Sequence, residues 1–270
     1  MHPEFFHIGK LVVSWYGTLV ALGFIAALWT AGRRAALVGV SPDKVADVGP
    51  WLIIGTLIGA RLFYVVSYPQ DFEDVPFWHV FAIWKGGLVF YGGLFGASAA
   101  CILFTYLNKI PLWRFADVLA PSVALGHAIG RLGCLMNGCC YGQACNLPWA
   151  IQFPVGHRTH PVGEAATPVH PTQIYESLLN FGLYLALAWF FRKRRKFEGQ
   201  VFAVYLMGYA IVRSTVEMFR GDYPKDYYIG GWITPAHKVS IIIFLAGIVL
   251  YAWQKANPAA RLKEEKKRGA

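Results

Sequence analysis

The stretch His127 to Gly142, HAIGRLGCLMNGCCYG, opens as apolar helix and closes as a turn rich in glycine and cysteine. Arg131 stands inside its apolar part. A charge at such a position costs at least ~2.5–3.5 kcal/mol on membrane-insertion scales, so it is kept only where it has a partner or a task. The rest of the chain reads as a frame that brings further polar groups to the same depth.

The composition supports an integral membrane reading. The 270 residues are 56% hydrophobic and only 15% charged, where a soluble domain carries nearer a quarter charged residues. The net charge of +10 does not point to nucleic acid, because much of it sits in Arg192–Lys196 and in the tail from Lys255 to Arg268. Both blocks directly follow apolar runs, the pattern of anchors facing anionic lipid.

Seven apolar segments, 11–31, 47–67, 87–107, 115–136, 172–191, 200–217 and 237–254, approach the ~20 residues of a spanning helix. The expected fold is therefore an all-α polytopic membrane protein of seven spans, 1–270 forming one domain. The first segment lacks a basic n-region and a small-residue cleavage site, so it reads as a retained helix and not as a cleaved signal. With the N-terminus outside, 16 Lys and Arg fall on the inside and 5 on the outside. That asymmetry predicts N-out, C-in, with 255–270 a basic cytoplasmic tail. Residues 68–84, acidic and aromatic, are expected at the outer interface. Residues 137–171, with several prolines and glycines, are expected to form a small ordered outward cap.

This topology gathers the polar residues at one depth. Arg61 and Arg131 come late in inside-to-outside helices, and Tyr209, Arg213 and Glu217 follow one face at i, i+4, i+8. Tyr16, Tyr91, Gln173 and Glu176 come early in outside-to-inside helices, His170 just precedes one, and His237 and Lys238 open the last. No helix is read as carrying a charge in its inner half. One arginine near a helix end reads as snorkelling. Arg61, Arg131 and Arg213 together, with Glu176 and Glu217 at matching depth, read as a cationic pocket at headgroup level. Guanidinium forks donate bidentately to phosphate oxygens, and the carboxylates would orient them.

Gly55-x-x-x-Gly59 reads as close helix packing. Gly86-Gly87 and Gly92-Gly93 read as flexible backbone beside a site where lipid enters. Cys134, Cys139, Cys140 and Cys145 lie within twelve residues. Disulfides stapling the turn are the leading expectation for them, with a metal site, redox-active thiols and free structural cysteines as alternatives. Cys101 reads as a small apolar residue.

Several pieces carry a resemblance when taken in order. They are Trp15-Tyr16-Gly17, Gly59-Ala60-Arg61, Gly86-Gly87 through Gly92-Gly93, and Gly130-Arg131-Leu132-Gly133 with Asn137-Gly138 and Gly142. His170-Pro171-Thr172-Gln173-Ile174-Tyr175-Glu176 follows, then Gly208-Tyr209 with Arg213, Glu217 and Arg220. Over most of its length the chain resembles the prolipoprotein diacylglyceryl transferase family. The resemblance implies a bacterial inner-membrane enzyme with its active site toward the outer leaflet. It would move the diacylglyceryl group of phosphatidylglycerol onto the lipobox cysteine thiol of a prolipoprotein, without metal or organic cofactor. By the same resemblance Arg131 and Arg213 bind the phosphate, with Tyr209, Glu217, Arg61 and Tyr16 shaping the site. Asn137, Gly142 and Glu176 hold the loop and the lipid, and Tyr91 and Arg220 join the substrate contacts.

Two departures stand out. The family usually has a histidine before the second glycine pair of helix three, where this chain has Phe90-Tyr91-Gly92-Gly93; His127, one turn before Arg131, reads either as the replacement base or as a hydrogen-bonded core residue. Cys134 and Cys139 occupy positions where the family usually has Asn and Glu. The rival readings are a membrane thiol–disulfide oxidoreductase using the cysteines and a non-catalytic phospholipid-binding or transport paralogue.

Overall fold

The computed structural model describes residues 4–8, 11–73, 75–222 and 233–257. The chain divides into two units, Ala31–Phe115 and a second made of Met1–Thr30 with Ala116–Ala270. Seven α-helices carry the fold: α1 (Trp15–Ala35), α2 (Pro42–Ser67), α3 (Phe90–Leu107), α4 (Leu112–Asn137), α5 (Thr172–Lys193), α6 (Gln200–Glu217) and α7 (Pro235–Ala256). All except α6 are long and apolar enough to cross a membrane by length and composition. Their outer surfaces are apolar: Ile25, Ile58, Ile102, Leu178 and Ile242 are exposed, while Asp117, Glu176, Asn180 and Glu217 are buried. That is the reverse of a water-soluble protein and suits a hydrocarbon surround.

The chain departs from all-α at its start. β1 (Glu4–Ile8) and β2 (Leu11–Ser14) form an antiparallel hairpin, so the expected first helix begins at Trp15 and not at residue 11. The Leu11-Val12-Val13 run is continuous in hydropathy with the helix, but its β-branched residues favour a strand. The expected interfacial segment 68–84 is a series of short 3₁₀ turns. Most of the basic tail, from residue 258 onward, lies outside the described residues.

In the unit Ala31–Phe115, α2 starts on Ser41, whose hydroxyl accepts from the Asp43 N–H, with Pro42 following at the first helical position. α2 and α3 then approach backbone to backbone. A Cβ on Gly59 would sit 2.3 Å from the Gly92 carbonyl oxygen, and one on Gly55 would sit 2.6 Å from that of Gly96. Gly55 and Gly59 do serve packing. Gly92 serves it too, in place of the flexibility expected there.

In the other unit, Gly23 of α1 meets Gly126 of α4, and the hydroxyls of Thr30 and Ser122 bond at 2.8 Å. The Ser177 hydroxyl of α5 donates to the Ala128 carbonyl of α4 at 2.8 Å. Asp117, fully buried near the start of α4, accepts from the backbone N–H groups of Gly199 and Phe202 at 2.9 Å each, capping the start of α6. The expectation that no helix carries a charge in that half is therefore corrected. Asp117 is tolerated because the free N–H groups of a helix start need an acceptor. Between α4 and α5 the chain is irregular but ordered, with Tyr141, Phe153 and Val169 forming a small buried cluster against Ile151.

Candidate active site

Arg131 is the hub. It lies in the last third of α4, one turn after His127 and one before Cys134, so all three side chains share a face. Its Nε donates to His127 Nε2 at 3.1 Å, its Nη2 pairs with Glu176 Oε1 at 2.9 Å, and its Nη1 points at Cys134 Sγ at 4.0 Å. Glu176, one turn into α5, also lies 3.3 Å from His127 Nε2. The guanidinium and the carboxylate thus both engage the Nε2 of His127. The His127 ring also faces Tyr209, with centroids 5.4 Å apart.

A second pair stands on α6. Arg213 Nη1 meets Glu217 Oε2 at 2.6 Å, the i, i+4 spacing read from the sequence. The other Glu217 oxygen accepts from the Thr234 hydroxyl at 2.6 Å, and Thr234 caps α7 through a reciprocal box with His237. Glu176 feels both guanidiniums, since Arg131 and Arg213 each act on its charge. Two arginines thus converge on buried carboxylates, with their side chains 16% and 13% exposed. Before any anion arrives, the carboxylates keep these guanidiniums from standing as bare buried positive charge, and the planar forks suit phosphate oxygens.

Tyr16, the second residue of α1, packs its backbone on Gly133, where a Cβ would meet Tyr16 Cα at 3.3 Å. Its phenol interacts electrostatically with Arg131, Cys134, Cys139 and Cys140. Gly142 is a three-way crossing, since a Cβ there would meet His170 Cβ at 2.5 Å and the Phe219 carbonyl oxygen at 2.8 Å. Arg220, beside it, holds Asp222 through two bonds of 2.7 and 2.8 Å. Asn137 ends α4, exposed, with its side chain within hydrogen-bonding reach of Cys139.

Arg61 and Tyr91 belong to the other unit. Arg61 is buried and gives its Nε to the Val80 carbonyl, its Nη1 to those of Gly86 and Gly87, and its Nη2 to that of His79, at 2.6–3.1 Å. It clamps the loop before α3, and four of its five N–H groups serve its own chain. Gly86 and Gly87 have φ of 83° and 71°, which lets both carbonyls turn toward it. Tyr91 lies half-exposed near the start of α3.

All five cysteines are free, which replaces the expected disulfide staples. Cys134, Cys139 and Cys140 bring their sulfur atoms within 4.8 Å of one another. The turn does this through Gly138 and Cys140, at φ 75° and 63°. Its carbonyls are then fixed by α5: Gln173 donates to that of Cys139 at 2.7 Å and Thr172 to that of Cys140 at 2.6 Å. Contacts from the Cys134 and Cys140 thiols, aided by Asn137 and the Arg131 charge, hold the Cys139 thiol well below the usual range. Asp117, Thr234 and Asp222 were not singled out from the sequence; only Thr234, in Thr-Pro-x-His, carries a recognisable capping signal.

An apolar cavity of about 440 Å³ opens beside α5 and α6, lined by Trp149, Leu178, Leu179, Val216 and Phe219 among others. Helices with apolar exteriors, paired arginines on buried carboxylates and an apolar cavity beside α5 and α6 define a polytopic helical protein with charged groups held among its helices. Residues 3–253 match the family described as prolipoprotein diacylglyceryl transferase. Three similar proteins are each named phosphatidylglycerol–prolipoprotein diacylglyceryl transferase. That of Synechococcus elongatus is 35% identical over 93% of this chain and 86% of its own length. Those of Thermosynechococcus vestitus and Aliivibrio salmonicida are 34% and 36% identical, over 91% and 93% of this chain and 88% and 87% of theirs. The chain belongs to the prolipoprotein diacylglyceryl transferase family.

Proposed function

We propose that this chain transfers the diacylglyceryl group of phosphatidylglycerol to the lipobox cysteine thiol of prolipoproteins, forming a thioether and releasing glycerol phosphate. The observation that carries this reading is the pairing of Arg131 and Arg213 with Glu176 and Glu217, the first carboxylate feeling both guanidiniums. As the carbon–oxygen bond breaks, the leaving phosphate gains charge, and preorganised guanidiniums stabilise that transition state more than the ground state. Arg131 and Arg213 hold the phosphate, and Glu176 and Glu217 keep them aimed. Tyr209 and Tyr16 wall the site, with Asn137, Gly142 and Arg220 supporting the turn beside it. Arg61 acts by holding the loop before α3, and Tyr91 is a surface for substrate. The apolar cavity beside α5 and α6 suits acyl chains.

His127 keeps Arg131 aligned, and takes a proton only once the guanidinium has left its Nε2 for a phosphate. The enzyme sits in the bacterial inner membrane with seven spans, N-out and C-in, and its site faces the outer leaflet. An oxidoreductase built on the cysteines would leave the buried arginine pairs without a task. The test is transfer itself, with purified protein, labelled phosphatidylglycerol and a lipobox peptide. Thioether-linked diacylglyceryl peptide is the expected product. Lipid binding without product from several lipobox peptides would move the reading to a phospholipid-binding paralogue.

A further inference from the structure

We infer that Cys134, Cys139 and Cys140 form a three-thiolate zinc site whose open fourth position takes the acceptor thiol. It rests on the transferase reading for the identity of that thiol; the metal site itself rests on geometry alone. Three sulfur atoms already lie within 4.8 Å of one another. Zinc–sulfur bonds of ~2.3 Å in a tetrahedron set sulfur–sulfur distances of about 3.8 Å, so the three need move by an ångström or less each. The turn that assembles them is a built one. Its left-handed Cys140 is retained while the Thr172 and Gln173 side chains hold the carbonyls of Cys140 and Cys139.

Among the described residues the group contains these three ligands only, and Cys145 lies outside it. His157, against the turn, is engaged elsewhere: its Nε2 donates to the Gly138 carbonyl at 2.7 Å. Three protein ligands with a vacant fourth position are the pattern of a catalytic zinc and not of a closed structural one. All three cysteines are partly exposed, so a fourth ligand can reach the position from outside.

The site also lies where the acceptor thiol is needed. Cys134 Sγ is 4.0 Å from Nη1 of Arg131, the guanidinium assigned to the phosphate. His127, the other means of taking the thiol proton, has its Nε2 engaged by Arg131 Nε at 3.1 Å and Glu176 Oε1 at 3.3 Å. Zinc removes the need for a side-chain base, because a coordinating thiol is deprotonated outright. The acceptor thiol binds through sulfur and releases its proton to water. The sulfur electron pair then forms the bond to the glyceryl carbon as the carbon–oxygen bond to phosphate breaks. Glycerol phosphate leaves with that electron pair as one added negative charge, beside Arg131 and Arg213. The thioether product is a weaker ligand than the thiolate and departs. Zinc keeps its oxidation state throughout, so no oxidant or reductant is involved.

The test uses the full-length protein purified in detergent without chelator. Elemental analysis should find one zinc per chain in wild type and in Cys145→Ser, and little in Cys134→Ser, Cys139→Ser or Cys140→Ser. Replacing zinc by Co²⁺ gives a visible spectrum that should change on adding a lipobox peptide, in the absence of lipid, and stay still with the serine-for-cysteine peptide. Stripping the metal from wild type should lower transfer at least ~100-fold, restored by adding zinc, which does not depend on how the variants fold. No bound metal, copper in place of zinc, a disulfide within the cluster, or full-rate transfer by metal-free protein overturns the inference and leaves the transferase reading standing. A cobalt spectrum unmoved by the peptide thiol also overturns it, since the metal would then be a closed staple. A spectrum that responds to the thiol, with no thioether product from phosphatidylglycerol, upholds the thiol-binding site and sinks the transferase reading.

Discussion

Arg131 is held from three sides by His127, Glu176 and Cys134, and each contact uses a different edge of the guanidinium. Truncation to Ala would strand the buried Glu176 carboxylate, which costs ~3–5 kcal/mol for a buried pair and would confuse folding with catalysis. Arg131→Lys separates the two, because it keeps the charge and removes the planar fork. We expect Arg131→Lys to retain its thermal midpoint within a few degrees while transfer to a lipobox peptide falls at least ~100-fold. Near wild-type turnover would remove Arg131 from the phosphate. The Arg213–Glu217 pair was legible in the sequence because helical spacing nominates it, whereas for Arg131 the sequence offered only carboxylates at matching depth and did not single out Glu176, which lies on another helix. Arg61 sends the same signal and does something else. Nothing in a sequence says whether a buried guanidinium will give its N–H groups to a ligand or to the carbonyls of its own chain, and here four go to residues 79–87. Free cysteines were equally hard to foresee, since only the left-handed turn at Gly138 and Cys140 decides how close the sulfurs come.

Helices were the readable elements. The reading of 200–217 coincides with α6, and the other helix limits move by up to five residues. What failed was local. The N-terminal strand hid in an apolar run, and Asp117, a lone acid near a helix start, gave no hint that it would cap a different helix. Two variants probe these elements. Gly59→Ala puts a methyl 2.3 Å from the Gly92 carbonyl oxygen, so α2 and α3 must separate. Overpacking of this kind costs ~1–3 kcal/mol, and the lower stability should appear as earlier thermal unfolding in detergent. Asp117→Asn keeps the shape but turns an NH₂ group toward one of the two N–H groups that begin α6. The loss should be ~1–3 kcal/mol of stability, the cost of a buried donor left unmet. Unchanged unfolding in either variant would contradict the packing or capping role given to that residue.

At the scale of the whole molecule, α6 decides the topology. It is the one helix that falls below the hydropathy of a spanning segment, because Tyr205, Tyr209, Arg213 and Glu217 line it. Its 18 residues nonetheless reach ~27 Å at 1.5 Å each, close to the ~30 Å hydrocarbon core. Its charged end is satisfied internally by the Arg213–Glu217 pair and by Thr234 at the start of α7, so crossing does not expose those charges to lipid. Parity then makes a sharp prediction. Four helices precede residues 138–171, which puts that segment on the same side as the N-terminus whether or not α6 crosses. Three helices follow it, and the C-terminal tail lies on the opposite side only if α6 is one of the three spans. Alkaline phosphatase inserted after Pro148 should therefore be active outside, whereas fused after residue 257 it should be inactive and a green fluorescent protein there should fluoresce. Active phosphatase at both positions would mean that α6 stays on one side. The Arg213–Glu217 pair would then sit outside the bilayer, and the headgroup-depth site would lose one of its two arginines.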